Sequence, residues 1–177
     1  MFRNLLSILV ALTTVIAIHA GDFPGSVQRF RQQSGGELFD TKIAGSSKEV
    51  WQRIEAFGDE GRAEYLFRNV TTDIALPLSV LPMLIFCTHR WRSRLRSRKL
   101  QIFFALAPVV YLVFDLAENL VVYLLIAQYP DFNEASAGIL PWLTITKRIG
   151  AFTSLAVLGA TTITSMQERY NKRTPLG

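Results

Sequence analysis

A single cysteine, Cys87, and two histidines, His19 and His89, stand in a chain of 177 residues. One thiol excludes an internal disulfide, a cysteine-based metal site and any redox chemistry that needs a cysteine pair. The histidines border two different apolar segments, and the orientation argued below puts them on opposite sides, so a histidine dyad is excluded. There is no G-x-S-x-G nucleophile elbow, no phosphate-binding glycine loop and no dinucleotide fingerprint. Internal repeats and low-complexity tracts are also missing. Charge is scarce, at 19% of residues against 50% hydrophobic, and what charge there is lies unevenly.

Residues 5–18, 74–87, 100–127 and 139–164 are mostly apolar, and the charges collect between them. That segregation predicts an all-α, four-helix transmembrane bundle forming one membrane domain over residues 1–177, with spans near 4–20, 70–91, 100–128 and 138–164. The first apolar run follows Arg3 and resembles a signal peptide. Its cleavage site is poor, because Ile18 or Val15 would occupy the −3 position, so a retained helix is expected. Pro77 and Pro82 interrupt the second run. In a membrane such prolines are tolerated as kinks, since neighbouring helices satisfy the freed carbonyls. The third run, if helical from Leu100 to Gln128, is about 43 Å long and exceeds the lipid thickness.

The net charge of +5 does not point to nucleic acid, because much of the excess sits in one short segment, "HRWRSRLRSRK". By the positive-inside rule it faces the cytoplasm. Arg3 and the basic C-terminal segment with Arg169, Lys172 and Arg173 follow it, and the acidic "YPDFNEASA" lies outside. The chain therefore reads as a multi-pass protein of the inner or plasma membrane with both termini cytoplasmic. Its first partner is the lipid bilayer, and Arg90, Arg92, Arg94, Arg96, Arg98 and Lys99 are placed to meet anionic headgroups. A homo-oligomer is compatible with this arrangement.

The outer loop, residues 21–69, is long enough to hold structure. "LFDTKI" is compatible with an extended segment. Ser46 followed three residues later by Glu49 is a capping box that starts a helix. Val50, Ile54 and Phe57 share one face of that helix, with Trp51 beside them, and Gly58 and Gly61 end or bend it. The stripe either rests on the membrane interface, caps the bundle or packs on its own loop. Asn69-Val70-Thr71 matches a glycosylation acceptor but abuts the second span, and is read as accidental.

The polar residues inside the apolar runs form the candidate site. Tyr111, Asp115, Glu118/Asn119 and Val122 recur at spacings of three and four and so share one helical stripe. A charge facing lipid at mid-depth costs at least about 2.5–3.5 kcal/mol, so this face looks into the bundle. Lys147 lies about 15 Å from the outer start of the fourth span and Glu118 about 15 Å from the outer end of the third. The depths match, and Glu118 with Lys147 is the expected ion pair. Arg148 points about 100° away, towards the interface. Thr144, Lys147, Ala151, Ser154 and Leu158 form a face suited to close approach. With Asp73 from the second span, the pocket candidates are Asp73, Tyr111, Asp115, Glu118, Asn119 and Lys147. His19 ends the first span on the same side.

"GDEGRAEYLFRNVTTDIALPL", "FDLAEN" and "TITKR" give G-x-x-G-R-x-x-Y followed by Asp73 and Pro77, then D-x-x-E-N and T-x-x-K. This pattern, across about residues 38–150, resembles a family of small four-span integral membrane proteins. The resemblance implies a shared four-helix unit and shared polar positions, and it implies no activity. A fainter similarity to four-helix membrane sterol isomerases, which also bury acids, does not align and lends no chemistry.

Three functions follow from the pocket. The first is binding of a lipid-like ligand or a membrane partner. The second is an intramembrane lipid-modifying enzyme, with Asp115 or Glu118 as general acid or base and Lys147 holding an anionic intermediate. The third is a proton-coupled small transporter working as an oligomer, since an acid without a compensating base suits a proton relay. A polar clamp that only fixes helix register is the structural alternative. No cofactor and no metal are expected; carboxylates with His19 around a metal would be the remote exception.

Overall fold

A computed structural model describes residues 2–92 and 95–173, and the side chains among them other than those of residues 2–5, 90, 92, 161, 165 and 167–173. Among the described residues the chain is all-helical. Its elements are α1 (Phe2–Ala20), α2 (Val27–Gln33), α3 (Ser47–Ala56), α4 (Gly58–Val70), α5 (Thr72–Arg92), α6 (Arg98–Ala127) and α7 (Glu134–Arg173). Two helical stretches are long and apolar enough to cross a membrane: Gly58–His89, taken across the break at Thr71, and Arg98–Ala127. Leu6–Ala20 is a shorter apolar helix. In α7, Lys147 and Arg148 interrupt the apolar stretch.

The long helices bundle because their small and apolar faces meet. The most extensive pairing is α6 against α7. The two helices approach closely at Gly150, where an added Cβ would stand 2.7 Å from the Tyr111 backbone nitrogen and 3.1 Å from the Ala107 carbonyl oxygen. Thr144 and Ser154 lie in the same seam, both buried. Ser154 satisfies its own hydroxyl by donating one turn back, to the Gly150 carbonyl. α1 pairs with α5, where Ala11, Met83, Leu84 and Cys87 make a small core. Pro77 and Pro82 both lie inside a continuous α5, as expected for a helix supported by neighbours.

The segment between α1 and α5 folds as a cap of three helices. The Ser46 hydroxyl accepts from the Glu49 amide and starts α3, while the Glu49 carboxylate reaches back to the Gly45 amide, one residue further than a standard capping box. Gly58, at φ +66°, turns the chain from α3 into α4. Val50, Ile54 and Phe57 are fully buried, and with Phe30, Phe39 and Tyr65 they join Val122, Leu125 and Ile126 of α6 and Leu140 of α7 in the main core. The stripe therefore caps the bundle. Phe57 lies edge-on to Phe30 and stacked against Tyr65, at 5.2 and 5.3 Å between ring centroids. Such pairs add about 0.5–1.5 kcal/mol each beyond simple burial. Trp51 stacks on Tyr129 and meets Phe132 edge-on, so it packs on the α6–α7 connection.

"LFDTKI" is a correction. It is not extended; the amides of Thr41 and Lys42 both donate to the Leu38 carbonyl, making a tight turn with Asp40 at its tip. Leu38 and Phe39 are drawn into the core, and burying this alternating pair of neighbours needs a turn. The second apolar run also starts differently from the expectation: α4 ends at Val70, Thr71 breaks the helix at φ −122° and ψ −85°, and α5 restarts at Thr72. Of the basic cluster, Arg96, Arg98 and Lys99 are exposed. Arg94 and the side chains of Arg90, Arg92, Arg169, Lys172 and Arg173 lie outside the described residues.

Candidate functional site

Lys147, on α7, is the centre of a buried ionic cluster. Its ammonium contacts the carboxylates of Asp40 and Glu118 directly and lies 3.2 Å from Asp115. Asp115 and Glu118 come from one face of α6, one turn apart, as the spacing requires. Asp40 comes from the cap turn. Thr144, one turn before Lys147, donates to the other oxygen of Glu118 at 2.5 Å. The carboxylate oxygens of Asp40, Asp115 and Glu118 all lie within 4.8 Å of one another, a separation at which three acids could share a cation. The cation they share here is the lysine ammonium. Glu118 is 1% exposed and Lys147 6%, so both charges depend on these partners for their solvation.

A second ion pair stands beside the first. Arg68 of α4 meets Asp73 of α5 at 2.6 Å, across the break at Thr71. The break has a geometric consequence: it lets two residues five apart in sequence face each other. Arg68 also donates to the Gly25 carbonyl at 3.0 Å, and the Thr72 hydroxyl donates to the same oxygen at 2.6 Å. The Gly25 amide donates to Glu64 at 2.5 Å. Gly25 holds φ +86°, a left-handed conformation that favours glycine. The turn into α2 is thus fastened to α4 and α5 through one residue.

Two asparagines link the same helices. Asn69 donates to the Asn119 carbonyl at 3.0 Å, and Asn119 donates to the Asp73 carbonyl at 3.3 Å. Asn69 is 3% exposed, and its amide is spent inside the fold. The glycosylation match is accidental, as expected.

A cavity of about 220 Å³ opens beside the cluster. Its lining includes His19, Arg31, Asp40, Arg68, Asp115 and Lys147, together with Tyr111 and the apolar Val27, Leu38 and Leu76. Of the six sequence candidates, Tyr111, Asp115 and Lys147 line it; Glu118 stands behind Lys147; and Asp73 and Asn119 support Arg68 and α4 from the side. Arg148 departs from its expected outward course. Its guanidinium donates to the Asp40 carbonyl at 2.7 Å and anchors the turn that delivers Asp40. Packing around Asp40 works to raise its pKa, but Lys147, Arg68 and Arg148 outweigh it and hold the carboxyl below its ordinary value.

Sequence reasoning missed Asp40, Arg68, Glu64 and Gly25. Asp40 and Arg68 sit in segments read as loop and amphipathic surface, where a charge is normally solvated. The available signal was the pairing of Arg68 with Asp73 once a break between them is allowed, and Gly25 directly after Pro24 in a short turn between two helices. Among the described residues the fold and site define a class, an all-helical protein with two stretches apolar enough to cross a membrane and an ionic cluster under a helical cap. No family model, curated protein or solved structure matches the chain.

Proposed function

We propose that this chain is a four-span integral membrane protein whose cap-side polar pocket binds an amphiphile by its head. α1, α5, α6 and α7 serve as the spans, and the cap of α2–α4 lies on the extracytoplasmic side. The exposed side chains support the reading. Leu9 and Ile16 on α1, Leu78 and Ile85 on α5, Val113 and Leu120 on α6, and Ile149 and Phe152 on α7 are all at least 49% exposed. Surfaces of this kind on every long helix suit lipid and would be a liability in water. The polar groups turn inward, so the ionic cluster is shielded from lipid by the bundle that carries it. Arg96, Arg98 and Lys99 at the opposite end are available to anionic headgroups on the cytoplasmic face.

The observation that carries the ligand-binding reading is the cavity itself: charged, aromatic and apolar side chains from α1, α2, α4, α5, α6, α7 and the Asp40 turn converge on one space of about 220 Å³. Pockets of this composition, a few convergent polar groups against an apolar wall, are where small ligands bind. A volume below the roughly 300–1,000 Å³ of ligand pockets suits a polar head rather than a whole lipid. Two measurements test the proposal. In a Cys87→Ala background, Asp131→Cys should react with an impermeant maleimide on intact cells, and Ser97→Cys only after permeabilisation. Labelling of Ser97→Cys from outside would overturn the topology. Native mass spectrometry of the purified full chain should find co-purified amphiphile, and its loss on filling the cavity by Leu76→Trp; a bare protein from every host membrane would overturn the binding role.

A second reading, acid–base catalysis on the bound amphiphile, is favoured by one specific feature: Asp115 Oδ2 is buried and without a hydrogen-bond partner at the cavity, where a general acid or base would stand. Lipid profiling of a deletion strain separates the two. An accumulated precursor supports catalysis, and an unchanged profile supports binding. The transporter reading ranks third, because four helices need an oligomer to enclose a path.

A further inference from the structure

Two unmet polar atoms of opposite kind belong to residues that line the same cavity. Arg68 Nε is a donor and Asp115 Oδ2 an acceptor, and neither has a hydrogen-bond partner. Both side chains are deeply buried, the residues being 2% and 8% exposed. Buried polar groups are almost always satisfied, and an exception beside a cavity points to what the cavity receives.

The charges around the cavity are also divided. Towards α6 and α7, the three carboxylates of Asp40, Asp115 and Glu118 face one ammonium, that of Lys147, an excess of two negative charges. From α2 and α4, Arg31 and Arg68 reach the same lining, and His19 joins them from α1. Asp73 engages Arg68 through its terminal nitrogen and leaves Nε available. A purely anionic head would satisfy Arg68 and Arg31 but bring like charge to Asp40 and Asp115. A purely cationic head would satisfy the acids and leave the arginine donor unmet.

We propose that the pocket selects a zwitterionic head, with an ammonium directed to Asp115 and Asp40 and a phosphate or carboxylate directed to Arg68 and Arg31. The proposal rests on the amphiphile-binding reading above and narrows it to one ligand chemistry. Val27, Leu38 and Leu76 would cover the apolar stem between the head and its chains. The head can belong to a membrane lipid, such as an ethanolamine phospholipid, or to a free soluble zwitterion of the phosphoethanolamine kind.

The test uses the purified full chain in a non-ionic detergent, equilibrated with equal amounts of phosphatidylethanolamine, phosphatidylglycerol and diacylglycerol, with retained lipid read by mass spectrometry. Phosphatidylethanolamine should be retained about tenfold over each of the others. Asp115→Asn and, independently, Arg31→Gln should each erase most of that preference; Arg31 is an exposed residue of α2, so its variant keeps the test open if Asp115→Asn fails to fold. Soluble phosphoethanolamine is then added as competitor. Displacement of lipid identifies the head alone as sufficient, failure to displace identifies the lipid as the source, and both support the zwitterion. Equal retention of the three lipids, or a preference for phosphatidylglycerol, overturns the zwitterionic selection while leaving amphiphile binding intact. Retention of no lipid and no binding of phosphoethanolamine overturns both readings.

Discussion

Replacing Lys147 by methionine removes the ammonium shared by two buried carboxylates, Asp115 and Glu118, and the more exposed Asp40. Breaking a buried ion pair by deleting one partner costs about 3–5 kcal/mol, because the remaining charge is left in a poor solvent. The loss stays within that range because the carboxyls can take up protons rather than remain ionised. For a chain of this size, about 2–4 °C of melting temperature is lost per kcal/mol, so Lys147→Met should melt roughly 6–20 °C below the wild type. Glu118→Gln is the milder change. Its amide oxygen can still accept from Thr144, now at 2.5 Å from Oε1, and Lys147 keeps Asp40 and Asp115. A cost of about 1–2 kcal/mol is expected. The double variant distinguishes a pair from a cluster. If Glu118 and Lys147 acted alone, removing both would restore stability. In the structure the double change still leaves Asp40 and Asp115 facing each other without the ammonium between them, so Glu118→Gln/Lys147→Met should remain within about 1 kcal/mol of Lys147→Met. Adding Asp115→Asn should recover part of the loss. Tryptophan fluorescence during heating in detergent reads the wild type and all four variants. A double variant that melts with the wild type would refute the clustered arrangement and reduce the site to a single clamp.

Three further outcomes follow from the packing. Gly150→Ala should lower stability by about 1–3 kcal/mol by wedging α6 from α7, since the new methyl meets backbone and not a side chain that can move; Gly138→Ala, with nothing within 4 Å, is the control that should leave the melting temperature unchanged or higher. Gly25→Ala should destabilise by about 1–2 kcal/mol, because φ +86° is strained for any L side chain; denaturant unfolding that shows no change would mean the turn is not fixed as described. Asp40 gives the pH dependence: its folded-state pKa lies below the ordinary value of 3.8, so its ionised form stabilises the fold above that value, and the contribution is lost as pH falls through the lowered one. The stability gap between wild type and Asp40→Asn should therefore be full at neutral pH and close on acidification below 3.8, and a gap independent of pH would remove Asp40 from the ionic cluster.

The long helices and the α6 stripe were legible because their signals are local. Hydrophobic run length fixes an apolar helix, and a spacing of three and four fixes which residues share its face, so Asp115, Glu118 and Lys147 could be brought together from depth alone. The start of α3 was equally local, written in Ser46 and Glu49. What escaped was whatever depends on a turn. Asp40 reaches Lys147 only because residues 38–42 fold back on the Leu38 carbonyl, and nothing in "LFDTKI" separates that turn from an extended segment. Arg68 escaped for the same reason: on an unbroken helix, residues 68 and 73 point well apart, about 140° around the axis, and no residue between them announces the break at Thr71.

These two escaped residues change what the site is. An acid cluster assembled only from α6 and α7 would be a property of the bundle, complete without the cap. Asp40 makes the cap a participant, and Arg148 holds the Asp40 turn by its backbone, so α7 grips the cap at two successive residues. Arg68 of α4 and Thr72 of α5 hold the turn into α2 through the Gly25 carbonyl. The cavity lies between these two attachments, with Asp40 and Leu38 of the cap turn on one side and Tyr111 and Asp115 of α6 on the other. Any ligand head that enters must touch both cap and bundle. Binding and cap stability are therefore linked: a ligand that bridges the two stabilises the capped state in proportion to its occupancy, and substitutions that loosen the cap, such as Gly25→Ala, should weaken ligand retention even though Gly25 does not line the cavity.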